Sequence, residues 1–227
     1  MFKLNICLNL CPHFHYTLMS YNDKQVQIME AAEELFAEKG FDGTSVRDIS
    51  EKADVNLAMI SYYFGSKEKL LEALFTFRSE PSMLKVESML GDKESSSLQK
   101  LYNLIDYYID KIQNQTCFHK IMSREQVHNH RSAVTELIFQ FKRKNQELVK
   151  KLIQEGQKTG EFKRNIDVPI MMATLIGTVN HLVTTQHYYK EINNLQSLSD
   201  DELNKLIKKK LSHHLKFMFK AILTHEE

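Results

Sequence analysis

The chain has 227 residues, 42% of them hydrophobic and 26% charged, with only 7 Gly and 3 Pro. That length allows one large or two modest domains with real cores, and the scarcity of Gly and Pro beside abundant Leu, Ile, Lys, Glu and Gln predicts an all-α fold. A net charge of +1 excludes a broadly polycationic chain, and no apolar run approaches the roughly 20 residues that span a bilayer, so no membrane partner is expected.

Residues 1–20 read as a disordered or non-native N-terminal extension, with Met19 placed as a natural initiator before the first helix. Cys7, Cys11, His13 and His15 are zinc-type ligands, but a small zinc site needs surrounding structure that this segment lacks. With Cys117 the chain has three cysteines, which make no disulfide framework and suit a reducing cytoplasm. No metal site and no cofactor is predicted.

The first helix is expected from about Asp23, as N-cap, to Lys39, with Ile28, Ala32, Leu35 and Phe36 on one face and Gly40 as a left-handed C-cap. Thr44 or Ser45 caps a second helix, and Asp48 stands at capping-box spacing from Ser45. Asp54-Val55 forms a turn. Asn56 caps a third helix through about Tyr63, Gly65-Ser66 ends it, and Ser66 caps a fourth helix from Lys67.

After Pro81 the pattern loosens, and Gly91–Ser97 reads as a polar linker. Amphipathic segments follow over about Leu98–Gln115, Phe118–His128, Ser132–Lys158, Val168–Lys190 and Asp200–Leu223. Leu203, Ile207, Leu211, Leu215, Met218 and Ile222 make one stripe along the last.

Two short helices joined by a tight turn can place the second in the major groove of DNA. Leu57, Ala58 and Met59 would meet thymine methyls and Asn56 a base edge, while Arg47 would fork onto guanine or clamp a phosphate. Ser61, Tyr62, Tyr63 and Thr44 offer hydroxyls to phosphates, and Lys67 adds charge at a helix start. Phe64 reads as a core aromatic. Over Tyr21–Ser79, seven basic side chains face eleven acidic ones, a net of −4. Affinity therefore has to come from where the charges sit and from dimerisation.

The signals Gly40-Phe41, Thr44 to Ile49, Ala53-Asp54-Val55, Ile60, Tyr62-Tyr63-Phe64 and Ser66 to Leu71, in this order, resemble the DNA-binding domain of the TetR family of bacterial regulators. Ser61 stands where that family usually carries tyrosine. The resemblance implies a helix-turn-helix domain over 21–66 and a larger helical effector-binding and dimerisation domain over 67–227. It also implies a homodimer on a double-stranded, pseudo-palindromic DNA operator, acting as a cytoplasmic repressor released by a small, largely apolar effector. Candidate pocket residues are Tyr102, Ile105, Tyr108, Ile109, Met122, Phe139 and Thr178, although ordinary core packing explains each one alone. Candidate interface residues are Met171, Leu175, Val179, Leu182, Leu211, Leu215, Met218 and Ile222, although packing within one subunit gives the same pattern. Among His119, Glu125, His128, His130, His181 and His187, only the His128-x-His130 pair, in an expected loop, shows tight ligand spacing. The rival reading is a DNA-binding adaptor with a filled core, regulated by a protein partner. No Gly-rich phosphate loop, nucleophile elbow or acid pair points to an enzyme.

Overall fold

Side-chain caps set most of the helix starts. Asn22 accepts from the Gln25 amide at 2.9 Å while the Gln25 side chain accepts from the Asn22 amide at 3.0 Å, so α1 (Asp23–Lys39) is capped one residue before the expected Asp23. Ser45 and Asp48 make the same reciprocal pair at the start of α2 (Val46–Lys52). Asn56 caps α3 (Leu57–Phe64), Ser66 caps α4 (Lys67–Leu90), and Ser96 caps α5 (Ser97–Asn114). Each cap satisfies an amide that has no partner within its own helix.

The computed structural model describes residues 21–127 and 133–225, so the proposed N-terminal extension and the His128/His130 pair lie outside the described residues. The remaining helices are α6 (Thr116–Val127), α7 (Ala133–Thr159), α8 (Val168–Thr184), α9 (Gln186–Ile192) and α10 (Asp200–Leu223). Among the described residues there is no strand, and no single helix is long and apolar enough to cross a membrane.

Three expectations shift. First, α4 continues through Pro81 to Leu90. The proline is exposed, and the helix is held by packing along α7 and α5. Tertiary contacts can offset the roughly 3 kcal/mol that an internal proline costs. Second, the segment expected as one helix over Val168–Lys190 breaks at Thr185 into α8 and α9, which meet at 71°. The hydroxyls of Thr184 and Thr185 donate to the carbonyls of Asn180 and His181, both at 2.7 Å, a back-bonding that bends helices. Third, the buried stripe of α10 is Leu203, Ile207, Leu211, Leu215, Phe219 and Leu223. It keeps a four-residue step to the end, where the expected stripe switched to Met218 and Ile222.

Two cores result. The larger joins α5, the second half of α7, α8 and α10 through Leu101, Leu104, Ile109, Leu152, Leu175, Val179, Ile207 and Leu215. The smaller joins α1–α4, but it also contains Phe118, Ile121 and Met122 of α6 and Val134 and Ile138 of α7. α4 contributes Leu70, Leu71, Leu74 and Phe75 to the smaller core and Val86 to the larger.

Candidate nucleic-acid interface and internal cavity

α2, the turn and α3 form a braced unit. Asp54 takes φ +48 in the turn, and Gln27 of α1 donates to the Ala53 carbonyl at 2.7 Å. Ile49, Ala53 and Ile60 are buried against Ile28, Ala32 and Phe36. This packing leaves one side of α3 outward: Leu57, Ala58, Ser61 and Tyr62 are exposed, Tyr62 by 83%. Met59 and Tyr63 are half-buried, and the Tyr63 ring meets that of Tyr62 edge-on at 5.1 Å. Asn56 uses its carbonyl oxygen to cap Ala58, which leaves its NH₂ group to donate. Arg47 projects from α2 with 83% of its side chain exposed, loosely paired with Glu51 at 3.7 Å.

Two expected phosphate contacts have other employment. Thr44 is buried, and its hydroxyl is bonded to the carbonyls of Gly40 (2.8 Å) and Leu35 (3.2 Å). It holds the α1–α2 connection and cannot reach a phosphate. The Lys67 ammonium donates to the carbonyls of Phe41 and Thr44, both at 2.9 Å, and sits 4.2 Å from the Phe41 ring centre. One of its N–H groups remains for a phosphate. A cap residue and a helix-start lysine look the same in sequence whether they face DNA or their own backbone.

Three of the acids of this region are tied up within the domain. Asp48 is committed to Ser45, whose hydroxyl and amide bonds hold the carboxyl below its ordinary range. Glu34 pairs with Lys52 at 2.7 Å. Glu33 is buried and accepts from Arg78 Nε of α4 at 2.9 Å, tying α1 to α4.

A cavity of about 340 Å³ lies among α5, α6, α7 and α8. Of the expected pocket residues, Tyr108 and Met122 line it; Ile105 and Ile109 are fully buried in the larger core, Phe139 is half exposed, and Tyr102 and Thr178 lie off the cavity. Tyr102 instead lies near the Lys216 ammonium, 5.7 Å from its ring centre. The apolar wall adds Phe141, Met172 and Ile176.

The sequence pattern points to an apolar lining and leaves the polar one unassigned to a pocket: Lys111, His119, Lys142, Asn145 and Asn180, with Ser123, Gln126 and Gln146. Lys111 is 7% exposed, and its ammonium donates to Ser82 Oγ of α4 at 2.6 Å. Burial pulls it down to about 8. His119 is pushed down to about 3 by burial and by the neighbouring Lys111 charge. Asn145 donates to the Tyr108 hydroxyl, whose ionisation burial opposes. A signal was present: Leu101, Leu104, Tyr108 and Lys111 follow helical spacing along the buried face of α5, and a lysine on such a face needs a reason.

The interface candidates need correction. Met171, Leu175, Val179, Leu211 and Leu215 are buried in the subunit's own core, and Leu182 and Met218 are half-buried against it. The five buried residues present no free face to a second subunit, while Leu182 and Met218 keep part of their surface exposed. α8 is apolar nearly all round, so periodicity could not say which side faced inward. Ile222 stays exposed, with Ile170 and Phe217. Ala173, Gly177 and His181 are exposed on α8, where Ala173 and Gly177 also line the cavity, and a Cβ on Gly177 would meet nothing within 4 Å. Among the described residues no group of three metal-type ligands gathers.

Two family models match: the tetR family of bacterial regulatory proteins over residues 28–74, and a tetracyclin repressor-like C-terminal domain over 98–225. The "Probable HTH-type transcriptional regulator YttP" of Bacillus subtilis (strain 168) is 33% identical over 137 residues, covering 60% of this chain and 66% of that protein. The HTH-type transcriptional repressor NicS of Pseudomonas putida is 30% identical over 166 residues, covering 65% of this chain and 71% of its own. The crystal structure of the regulator FadR from Bacillus subtilis in complex with stearoyl-CoA superposes with a TM-score of 0.62 at 23% identity, over 84% of this chain and 96% of that one. With an outward α3 braced by α1 and with both family models matched in order, the chain belongs to the TetR family of bacterial DNA-binding transcriptional regulators.

Proposed function

We propose that the protein is a homodimeric repressor that reads a pseudo-palindromic operator and releases it when a small molecule fills the cavity. The observation that carries this reading is the hydrogen bond from cavity-lining Lys111 to Ser82 of α4. α4 is also locked to α1 by Arg78–Glu33. A ligand that displaces Lys111 therefore acts on the helix from which the DNA-reading unit hangs. Two α3 helices would enter major grooves whose centres lie about 34 Å apart, so a small rotation of α4 in each subunit spoils the match. Driving the switch from 1:99 to 99:1 requires roughly 5.5 kcal/mol of differential ligand binding between the two states.

In this reading Leu57, Ala58, Asn56 and Arg47 contact base edges, with Met59 at the margin, and Ser61, Tyr62, Tyr63 and Lys67 contact phosphates. The exposed Ile170, Phe217 and Ile222 form the dimer face on α8 and α10. The cavity favours a small-molecule effector over the filled core that a purely protein-regulated adaptor would have.

A pull-down of genomic fragments tests the reading, with wild type beside an Arg47→Ala/Tyr62→Phe variant. Enrichment of a few palindromic fragments by the wild type alone is the expected result. Equal enrichment by both proteins, or none by either with folded protein confirmed, overturns it.

A further inference from the structure

Two lysines line the cavity, Lys111 buried and Lys142 exposed, and no carboxylate is among its lining residues. Among the described residues no carboxylate pairs with Lys111; its ammonium bonds Ser82 Oγ and lies 5.2 Å from the Phe141 ring centre. A buried charge without a counter-charge is costly, and the cost is relieved by an opposite charge brought to it. Two further polar atoms have no partner. His119 Nε2 and Asn180 Oδ1 are buried without a hydrogen bond, and both residues line this cavity. The Tyr108 hydroxyl accepts from Asn145, which leaves its own proton to donate. Lys111, Tyr108 and His119 thus offer buried polar atoms to a space that Met122, Phe141, Met172 and Ile176 also line, with Ser123, Gln126, Lys142 and Gln146 completing its wall.

We infer that the cavity takes a compact apolar monocarboxylate, its carboxylate on Lys111 and Tyr108 and its hydrocarbon body against the two methionines, Phe141 and Ile176. The buried Lys111 with the neutral donors around it balances a single negative charge; the second lining lysine, Lys142, is exposed and already donates to Gln126. Size sets a second limit. A cavity of about 150 Å³ accepts benzene, so 340 Å³ holds roughly a dozen non-hydrogen atoms on that scale. A long acyl chain joined to coenzyme A, as bound by FadR, would have to extend beyond it. The inference rests on the effector reading above and gives that effector a chemical class.

Calorimetry on the full chain tests it with decanoate, decan-1-ol and decylamine, all below their aggregation thresholds, and with stearoyl-CoA. Decanoate is expected to bind at least about tenfold more tightly than the alcohol or the amine, about 1.4 kcal/mol, and more tightly than stearoyl-CoA. Lys111→Met is expected to erase the preference for decanoate over decan-1-ol while keeping affinity for the alcohol. The inference is overturned by equal or tighter binding of the alcohol, the amine or stearoyl-CoA, by a preference that survives Lys111→Met, or by no binding of any probe. The wild-type comparison stands even if the variant does not fold. Operator release is measured separately. Decanoate that binds without changing operator affinity sinks the regulatory reading and leaves the ligand class intact. Release by another compound, with no decanoate binding, does the reverse.

Discussion

At the scale of single residues, lysines and histidines do more than their sequence positions suggest. Lys67 begins as a phosphate contact and proves also to be a clamp, two carbonyls deep in the joint between α1 and α2. Lys67→Ala should lower the urea-unfolding free energy by about 1–3 kcal/mol, since hydrogen bonds to a charged group are worth that much. An unchanged unfolding curve would remove the clamp. His119 makes a pH prediction. Its folded pKa is about 3 against an ordinary 6.5, so between those values the unfolded chain binds a proton that the folded chain refuses. Stability should therefore fall as pH drops from 6.5 toward 3, by at most about 1.4 kcal/mol per unit from this group. Measured by thermal unfolding across that range, His119→Phe should flatten the acid limb; an unchanged limb would show that other groups set it. Lys111, the neighbouring charge, stays protonated throughout this window.

At the scale of elements, caps and periodicity located the helices well. Ser45, Asn56, Ser66 and the α10 span Asp200–Leu223 were legible because short polar side chains before amphipathic runs have few other uses. What failed has physical causes. The helical pattern loosens after Pro81 because propensity is local, whereas α4 is held by neighbours distant in sequence. The faces of α8 were ambiguous because hydrophobicity marks burial without naming the partner that buries. On the DNA side, exposure of Tyr62 and Arg47 matched the reading while Thr44 turned inward. In the cavity, Tyr108 and Met122 were legible and the polar lining was not, since a polar residue inside a core depends on tertiary neighbours. Two element-scale tests follow. A Cβ on Gly156 of α7 would come within 2.1 Å of the Phe162 ring, which is folded back on it, so Gly156→Ala should cost about 1–3 kcal/mol in denaturant unfolding; no loss would mean that Phe162 is not fixed there. Ser82→Ala should leave carboxylate binding within a few-fold while weakening its effect on operator affinity. Full coupling in that variant would show that the signal bypasses Ser82.

At the scale of the whole molecule, assembly is the property to measure. Ile170 and Phe217 are exposed by 65% and 70%, on helices whose inner faces are already used. Charges placed there, Ile170→Asp with Phe217→Asp, should yield a folded monomer by sedimentation and abolish tight operator binding. A dimer that persists would move the interface elsewhere. The smaller core adds a consequence for how such a chain can be recombined. Phe118, Ile121, Val134 and Ile138 belong to the larger half of the sequence, yet they pack beneath α1–α4. A chimera joined at residue 66 would import a DNA reader without the floor it stands on. Moving this head to another regulator must therefore carry α6 and the first turns of α7 with it, so what looks like a movable module is bound by its packing to the body that commands it.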